Sequence, residues 1–99
     1  DYTNYPDCRP AFIEAFQKLS DVANRMGVEG NPIQIATPLL HMPKAEIIQK
    51  GIALGIDYGQ TVTCYQADAK GRACGKCLSC TTRKQSFITA QVPDPTRYQ

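Results

Sequence analysis

The stretch of sequence that decides the fold is CYQADAKGRACGKCLSC, residues 64–80. It holds four of the five cysteines of the chain: Cys64, Cys74, Cys77 and Cys80. A two-residue gap between cysteines lets a tight turn aim both thiolates at one ion, and the start of a helix brings in the next thiolate. Four thiolates complete the closed tetrahedral shell of a structural Zn²⁺ site, which leaves no position open for catalysis. The spacing therefore predicts a zinc ion held by these four cysteines.

Two alternatives to zinc stay open from the sequence. Cys-x2-Cys-x2-Cys also begins the cysteine run of bacterial ferredoxins, which holds iron–sulfur clusters. That run continues with a cysteine three residues later, followed by proline, whereas position 84 here is a lysine. Disulfides are the second alternative, but five cysteines crowded mostly into one segment are atypical of a secreted disulfide framework. The cysteine usage indicates a reducing compartment, and hence a cytoplasmic protein.

The residues between and after the cysteines fit a metal-binding loop. Gly71 and Gly75 supply the backbone freedom that tight turns around an ion require. Four basic residues close in sequence are expected to offset the negative charge of a tetrathiolate: Arg72, Lys76, Arg83 and Lys84.

The bulk composition excludes several classes of protein. A chain of 99 residues suits a single small domain, and 42% hydrophobic with 20% charged residues is ordinary for a globular protein. No apolar run approaches the roughly 20 residues that cross a bilayer, so no membrane partner is expected. A net charge of +2 is too small to predict direct nucleic-acid binding. Because the chain begins with Asp1 rather than Met, we expect it to be processed or to be a piece of something longer.

Hydrophobic periodicity predicts helices on both sides of the cysteine cluster. Apolar residues at helical spacing predict a helix from Pro10 to about Met26, with its apolar stripe packed on other structure. A second helix is expected to start at Pro43 and to be capped by Gly55. A third is expected to begin around Cys77.

The remaining segments are predicted to be extended. Ile33–Thr37 alternates in hydrophobicity like a short strand, and the tail after Pro93 is expected to be extended. The third helix should end before Pro93 and bury Phe87 and Ile88. One strand cannot make a sheet, so the apolar faces need a partner that this chain does not supply. We expect a homo-oligomer, or pairing with a missing N-terminal half.

Five separated motifs resemble, in the same order, the C-terminal part of the 7-cyano-7-deazaguanine synthase family. They are Tyr5-Pro-Asp-Cys-Arg-Pro10, Thr37-Pro-Leu39, Lys44-Ala-Glu-Ile-Ile48, the Cys-x9-Cys-x2-Cys-x2-Cys cluster and Asp94-Pro95-x-x-Tyr98. The resemblance implies an α/β fold, with residues 1–99 as the C-terminal part of a single synthase domain. It would be a fragment of a Rossmann-like PP-loop ATPase fold, mostly helical with one short strand and a four-cysteine zinc loop.

The resemblance also implies an activity. Members of this family convert 7-carboxy-7-deazaguanine and ammonia to the nitrile on the route to queuosine, consuming ATP with Mg²⁺. The carboxylate is activated by adenylation, ammonia displaces AMP to give the amide, and a second activation permits dehydration. The family's zinc is bound by cysteines that match the four named above, and it shapes the site rather than reacting.

The same resemblance assigns binding residues. Lys44, at a helix start, is expected to face the nucleotide phosphates, with Glu46 as a residue that can orient it. The loop with Tyr5, Asp7 and Arg9 is expected to line the deazaguanine pocket, since an arginine suits a carboxylate and an aromatic ring suits stacking on a base. Alternatively, Lys44 is an ordinary exposed lysine.

Some features of the sequence depart from the family or carry no assignment. The family's phosphate-binding loop, Ser-Gly-Gly-x-Asp-Ser, is absent, so the chain alone is not expected to bind ATP as the family does. Pro43 stands where a serine is expected, and Val62 where an aromatic residue is common. Cys8 and His41 have no predicted role. The competing hypothesis is a stand-alone structural zinc module that binds a protein or a nucleic acid.

Overall fold

A computed structural model describes residues 5–99, which divide into two compact units at the peptide bond between Met42 and Pro43. None of the described helices is long and apolar enough to span a bilayer.

The first unit contains a helix that is interrupted at Asn24. Helix α1 spans Pro10–Ala23, with proline in its first turn as predicted, and α2 spans Arg25–Val28. The predicted end near Met26 is wrong, because Asn24 has an extended backbone, with φ −131° and ψ 158°. Its side chain accepts a hydrogen bond from the Gly27 N–H at 2.8 Å and donates to the Ser20 carbonyl. This asparagine therefore ends one helix and caps the next.

The predicted strand at Ile33–Thr37 is also wrong, since residues 31–37 form no strand or helix. A strand exists only where another backbone pairs with it, and within residues 5–99 none pairs with this segment. The side chain of Gln17 takes the place of that backbone. Its amide nitrogen donates to the Ile33 carbonyl at 2.8 Å, and its amide oxygen accepts from the Ile35 N–H at 2.9 Å. The α/β class is therefore not visible in the described residues.

The apolar stripe of α1 is not packed as the sequence predicted. No residue of α1 is buried, and four of its large apolar side chains are exposed, namely Phe12, Phe16, Leu19 and Val22. Phe12 and Phe16 stack on each other with ring centroids 5.9 Å apart. The described residues therefore do not cover this stripe.

The second unit is built on two helices that pack together, α3 at Lys44–Ala53 and α4 at Leu78–Ala90. Gly55 follows α3 with φ +88°, as its predicted capping role requires. The Ile56 N–H donates to the Gly51 carbonyl and the Gly55 N–H to the Ile52 carbonyl, both at 2.9 Å. This is the Schellman arrangement, which satisfies the last carbonyls of a helix.

A small core lies between α3 and α4, with Ile48, Phe87 and Ala90 at its centre. The ring of Tyr58 packs edge-on against Phe87, with centroids 5.8 Å apart. Phe87 is buried as predicted. Ile88 is 69% exposed, so its predicted burial is wrong. The next residue along a helix turns away by about 100°, and the buried positions of α4 follow Phe87 at helical spacing.

Arg83 is the main polar group inside this unit, and only 4% of it is exposed. Its guanidinium donates to the Tyr58 carbonyl at 2.9 Å, to Thr61 Oγ1 at 3.0 Å and to Thr96 Oγ1 at 2.6 Å. It also lies 5.5 Å from the centre of the Phe87 ring. Arg83 thus joins α4 to a preceding loop and to the C-terminal tail.

Candidate functional site

The four cysteines singled out by their spacing come together in the second unit. The Sγ atoms of Cys64, Cys74, Cys77 and Cys80 all lie within 4.8 Å of one another. The Cys74–Cys80 and Cys64–Cys77 Sγ pairs are each 3.9 Å apart. A tetrahedron of thiolates with metal–sulfur bonds of about 2.3 Å has edges of about 3.8 Å. The cluster therefore has the size and chemistry to hold a single metal ion.

Backbone N–H groups surround the sulfur atoms. Cys64 Sγ accepts from the N–H of Gln66 at 3.2 Å and of Cys74 at 3.3 Å. Cys74 Sγ accepts from the N–H of Lys76 at 3.4 Å and of Cys77 at 3.3 Å. Both of these sulfur atoms thus sit in tight turns and accept hydrogen bonds from two backbone N–H groups each.

The last two cysteines are fixed by the start of α4. Cys77 is its N-cap residue, and Cys77 Sγ accepts from the Cys80 N–H at 3.5 Å. Cys80 lies in the first turn and is 1% exposed. One helix start therefore positions two thiols, as the two-residue spacing predicted.

The thiols have divergent pKa values. Hydrogen bonds from the backbone N–H groups of Lys76 and Cys77 lower the pKa of Cys74 to about 6. The N–H of Cys80 similarly lowers the pKa of Cys77, whereas burial raises the pKa of Cys80 to about 12. Cys80 therefore keeps its proton at neutral pH unless a cation displaces it, so metal uptake should release protons.

The geometry argues against both alternatives to a single ion. All five cysteines are unbridged, and 3.9 Å is about twice the length of an S–S bond. A [4Fe–4S] cluster holds its thiolates on four different irons, so their sulfur atoms must lie further apart than around one ion.

The basic residues near the cluster have more specific roles than charge balance. Lys84 donates to the Gly75 carbonyl at 3.0 Å, inside the turn between Cys74 and Cys77, and Arg72 pairs with Asp68 at 2.7 Å. Arg83, for which the same role stays a prediction, makes other contacts. Its guanidinium is occupied by Tyr58, Thr61 and Thr96, as described above.

The C-terminal Asp94-Pro95-x-x-Tyr98 motif folds back on itself beside the cluster. The Tyr98 hydroxyl donates to Asp94 Oδ2 at 2.6 Å, and the Thr96 N–H donates to Asp94 Oδ1 at 2.9 Å. Burial alone would raise the pKa of Asp94, but the hydrogen bonds from Thr96 and Tyr98 outweigh it and the pKa is lowered. Burial and the bond to Asp94 together raise the pKa of Tyr98 to about 12.

Tyr98→Phe should destabilise the second unit by about 1–2 kcal/mol at pH 7, because Asp94 loses a hydrogen bond that its charge strengthens. The raised pKa of Tyr98 means that this contribution is complete below pH 10 and is lost as pH rises towards 12. Urea unfolding of both proteins at several pH values measures the difference. A difference that stays constant from pH 9 to 12 would contradict the assignment.

Lys44 lies at an open groove of about 430 Å³ between the start of α3 and one face of α4. The groove is lined by Pro43, Lys44, Ala45, Thr81, Thr82, Gln85, Ser86 and Thr89. Its walls combine a cation at a helix N-terminus with hydroxyl groups, a combination that suits an anionic or polar ligand.

The other predicted binding residues lie in the first unit. Tyr5, Asp7 and Arg9 belong to or flank the 3-10 turn at Pro6–Cys8. The Arg9 carbonyl accepts from the Phe12 N–H at 3.0 Å, so this residue also starts α1. Asp7 and Arg9 are exposed and Tyr5 is half-buried. Local structure thus brings these three residues into one turn.

Comparison with known proteins shows the family to which this chain belongs. A family described as Queuosine biosynthesis protein QueC matches residues 1–91. The chain belongs to this family. Its QueC relatives include proteins named 7-cyano-7-deazaguanine synthase from Alcanivorax borkumensis, Acinetobacter baylyi and Thiobacillus denitrificans, which are 65%, 62% and 58% identical to it. The matches cover 100%, 99% and 99% of the chain.

The chain spans less than half the length of these QueC relatives, namely 45%, 43% and 44% of them. No solved structure matches it significantly. The predicted resemblance to the synthase family is therefore confirmed at the level of the family.

The polar face of α4 is the part of the groove that sequence inspection missed. Thr81, Gln85 and Thr89 recur every four residues, which places them on one side of the helix, facing the groove. That spacing was a readable signal. The side-chain amide of Gln99, which donates to the backbone carbonyls of Gln66 and Arg72 in the cysteine loop, had no such signal, because these residues are far apart in sequence.

Proposed function

We propose that the chain forms part of a 7-cyano-7-deazaguanine synthase, which converts 7-carboxy-7-deazaguanine and ammonia to the nitrile with consumption of ATP. The observation that carries this proposal is the 65% identity to the Alcanivorax borkumensis protein of that name, across all 99 residues. Names shared by several relatives favour this function over a stand-alone zinc module.

We propose that the ion held by the four cysteines is Zn²⁺. A compact set of four thiolates with no open position suits zinc and gives it a structural role. The ion would tie the loop before Cys74 to the first turn of α4, which forms one wall of the groove. The cysteines thus shape the binding site and take no part in the reaction.

Lys44 is proposed to contact the phosphates of ATP at the groove. Its ammonium group would offset phosphate charge at a place where the N-terminus of α3 already favours anions. The hydroxyl groups of Thr81 and Thr89 on the opposite wall offer further hydrogen bonds.

The turn at residues 5–9 is proposed to bind the deazaguanine. The exposed Arg9 guanidinium suits the 7-carboxylate, the ring of Tyr5 suits stacking, and Asp7 can accept hydrogen bonds from the base. Mg²⁺ bound with ATP and a Rossmann-like PP-loop domain formed with further sequence remain predictions from the resemblance. A homo-oligomer remains a prediction from the uncovered apolar faces, and a cytoplasmic location remains one from the cysteine usage.

A chimaera tests the function directly. The 99 residues of this chain replace the matching residues of the Alcanivorax borkumensis synthase, and mass spectrometry follows formation of the nitrile from 7-carboxy-7-deazaguanine, ammonia and ATP. We expect turnover close to that of the parent enzyme. A folded chimaera that carries zinc but forms no nitrile would refute the proposal.

Within this chimaera, Lys44→Ala should lower kcat/KM for ATP by about 10²-fold, because a charge on the phosphates is lost. Lys50→Ala is the matched control, since Lys50 is an exposed lysine in the last turn of the same helix. Equal kinetics for the two variants would reject the assignment of Lys44. Arg9→Ala should instead raise KM for the carboxylate substrate.

A further inference from the structure

The C-terminal tail is bonded to the turn that carries Cys74 and Cys77. Ala73, which precedes Cys74 and is 1% exposed, forms a parallel bridge with Tyr98. Its N–H donates to the Arg97 carbonyl and its carbonyl accepts from the Gln99 N–H, both at 2.8 Å. Both backbone polar groups of Ala73, the residue before Cys74, are thus hydrogen-bonded to the tail.

Gln99 also joins the two segments that bring the cysteines together. Its side-chain amide donates to the Gln66 carbonyl at 3.1 Å and to the Arg72 carbonyl at 3.0 Å. Gln66 lies two residues after Cys64, and Arg72 lies two residues before Cys74. A single amide group therefore bridges the loop of the first cysteine and the loop of the second.

A third contact acts on the interior of the turn. Lys84 donates to the Gly75 carbonyl at 3.0 Å, and its ammonium nitrogen lies 4.4 Å from the centre of the Tyr98 ring. Gly75 has φ +76°, and a Cβ there would lie 3.1 Å from this nitrogen and 3.4 Å from the Tyr98 ring. Gly75 is therefore enclosed by a side chain of α4 and a side chain of the tail.

We propose that residues 97–99, together with Lys84, act as a clamp that keeps the Ala73–Cys77 turn in its metal-ligating shape and so slows release of the ion. The clamp residues bind no metal themselves and act as positioning residues. They orient the ligands through the backbone, as outer groups commonly do at metal sites. This inference rests on the proposed zinc site but not on the proposed reaction.

The test measures the rate at which the full zinc-loaded chain loses its metal to a coloured chelator. Gln99→Ala should release zinc about threefold faster, and a chain ending at Thr96 about 10- to 100-fold faster. Gln49→Ala is the matched control, because that glutamine also donates to a backbone carbonyl, that of Ala90 at 3.2 Å, but lies in the α3–α4 contact. Its release rate should equal that of the original chain.

Tyr98→Phe separates clamping from general stability. It keeps the ring beneath Lys84 and the backbone bridge but lacks the hydroxyl bond to Asp94. It should therefore lower stability while leaving the release rate within about twofold. The absorption bands of Co²⁺ in the site should stay tetrahedral in every variant that folds.

Two results would overturn the clamp. The first is an equal rate of zinc release from Gln99→Ala and Gln49→Ala. This comparison tests the clamp even if the chain that ends at Thr96 does not fold. The second is a rate of zinc release that rises in proportion to the loss of folding stability in all variants, including Tyr98→Phe. A chain that takes up no zinc would overturn the proposed zinc site as well, whereas an inactive chimaera with normal zinc release would leave the clamp supported.

Discussion

Cys77→Ser is expected to abolish stable metal binding and to unfold the loop at residues 64–80. Serine is itself a good N-cap residue, so the variant keeps the cap of α4 and removes one ligand. Zinc contributes about 10–16 kcal/mol to the folding of comparable small zinc-binding peptides at pH 7, so loss of a ligand should exceed any single packing change. Elemental analysis and amide hydrogen exchange of the purified chain measure both effects.

Cys8→Ser is the matched control for this experiment. Cys8 is the fifth cysteine and lies in the 3-10 turn of the first unit, outside the cluster. The variant should keep about one zinc per chain and full exchange protection of the loop. If Cys77→Ser kept its zinc and the exchange protection of the loop, the four-cysteine site would be ruled out. If the original chain held one or more equivalents of iron and little zinc, zinc would be ruled out as the ion.

Arg83→Met should destabilise the second unit by about 3–5 kcal/mol. Methionine retains much of the apolar contact with Phe87 but donates no hydrogen bond. The Tyr58 carbonyl and the Thr61 and Thr96 hydroxyls then lose their charged donor inside a small unit. A loss of this size is a large fraction of the stability of any small domain. Urea unfolding of the zinc-loaded chain gives the value.

Arg72→Met provides the comparison, because Arg72 lies in the same unit but pairs with Asp68 at the surface. An exposed ion pair contributes about 0–1 kcal/mol, so this variant should unfold close to the original midpoint. If the two arginine variants lost equal stability, the buried hydrogen bonds of Arg83 would not have the importance assigned to them.

The sequence predicted best the features that depend on neighbouring residues. Three of the four clustered cysteines lie within seven residues, Cys74–Cys80, and a turn followed by a helix start fixes their positions. Pro10 at the start of α1 and Gly55 after α3 were predicted for the same reason, since caps are local structures.

The predictions that were wrong have physical causes. Side-chain hydrogen bonds competed with regular backbone structure, or a pairing partner was missing from the described residues. At Asn24, a side chain that bonds to the backbone outweighed a continuous helical pattern. At Ile33–Thr37, the alternating pattern was strand-like, but the described residues supply no second backbone and Gln17 bonds there instead. Helical periodicity alone did not separate Ile88 from its buried neighbour Phe87.

The roles of Arg83 and Gln99 could not be predicted from spacing. The groups that accept hydrogen bonds from their side chains lie 13–25 residues from Arg83 and 27–33 residues from Gln99, and their positions depend on how the loops return to α4. Of the groove beside Lys44, the sequence predicted only the lysine itself, because the opposite wall comes from helix α4, which is distant in sequence. Long-range polar contacts were thus the part of the site that sequence patterns missed.

The guanidinium at the centre of the second unit has a consequence for acid and alkali. An arginine keeps its positive charge at every pH that a protein meets, so the bonds from Arg83 do not depend on the donor's protonation. Acid acts instead on Asp94, whose lowered pKa means that its contribution is present at neutral pH and is lost as pH falls through that lowered value, and on the thiolates. Acid should therefore loosen the tail around Asp94 and the cysteine cluster before it weakens the bonds that Arg83 donates to Tyr58 and Thr61.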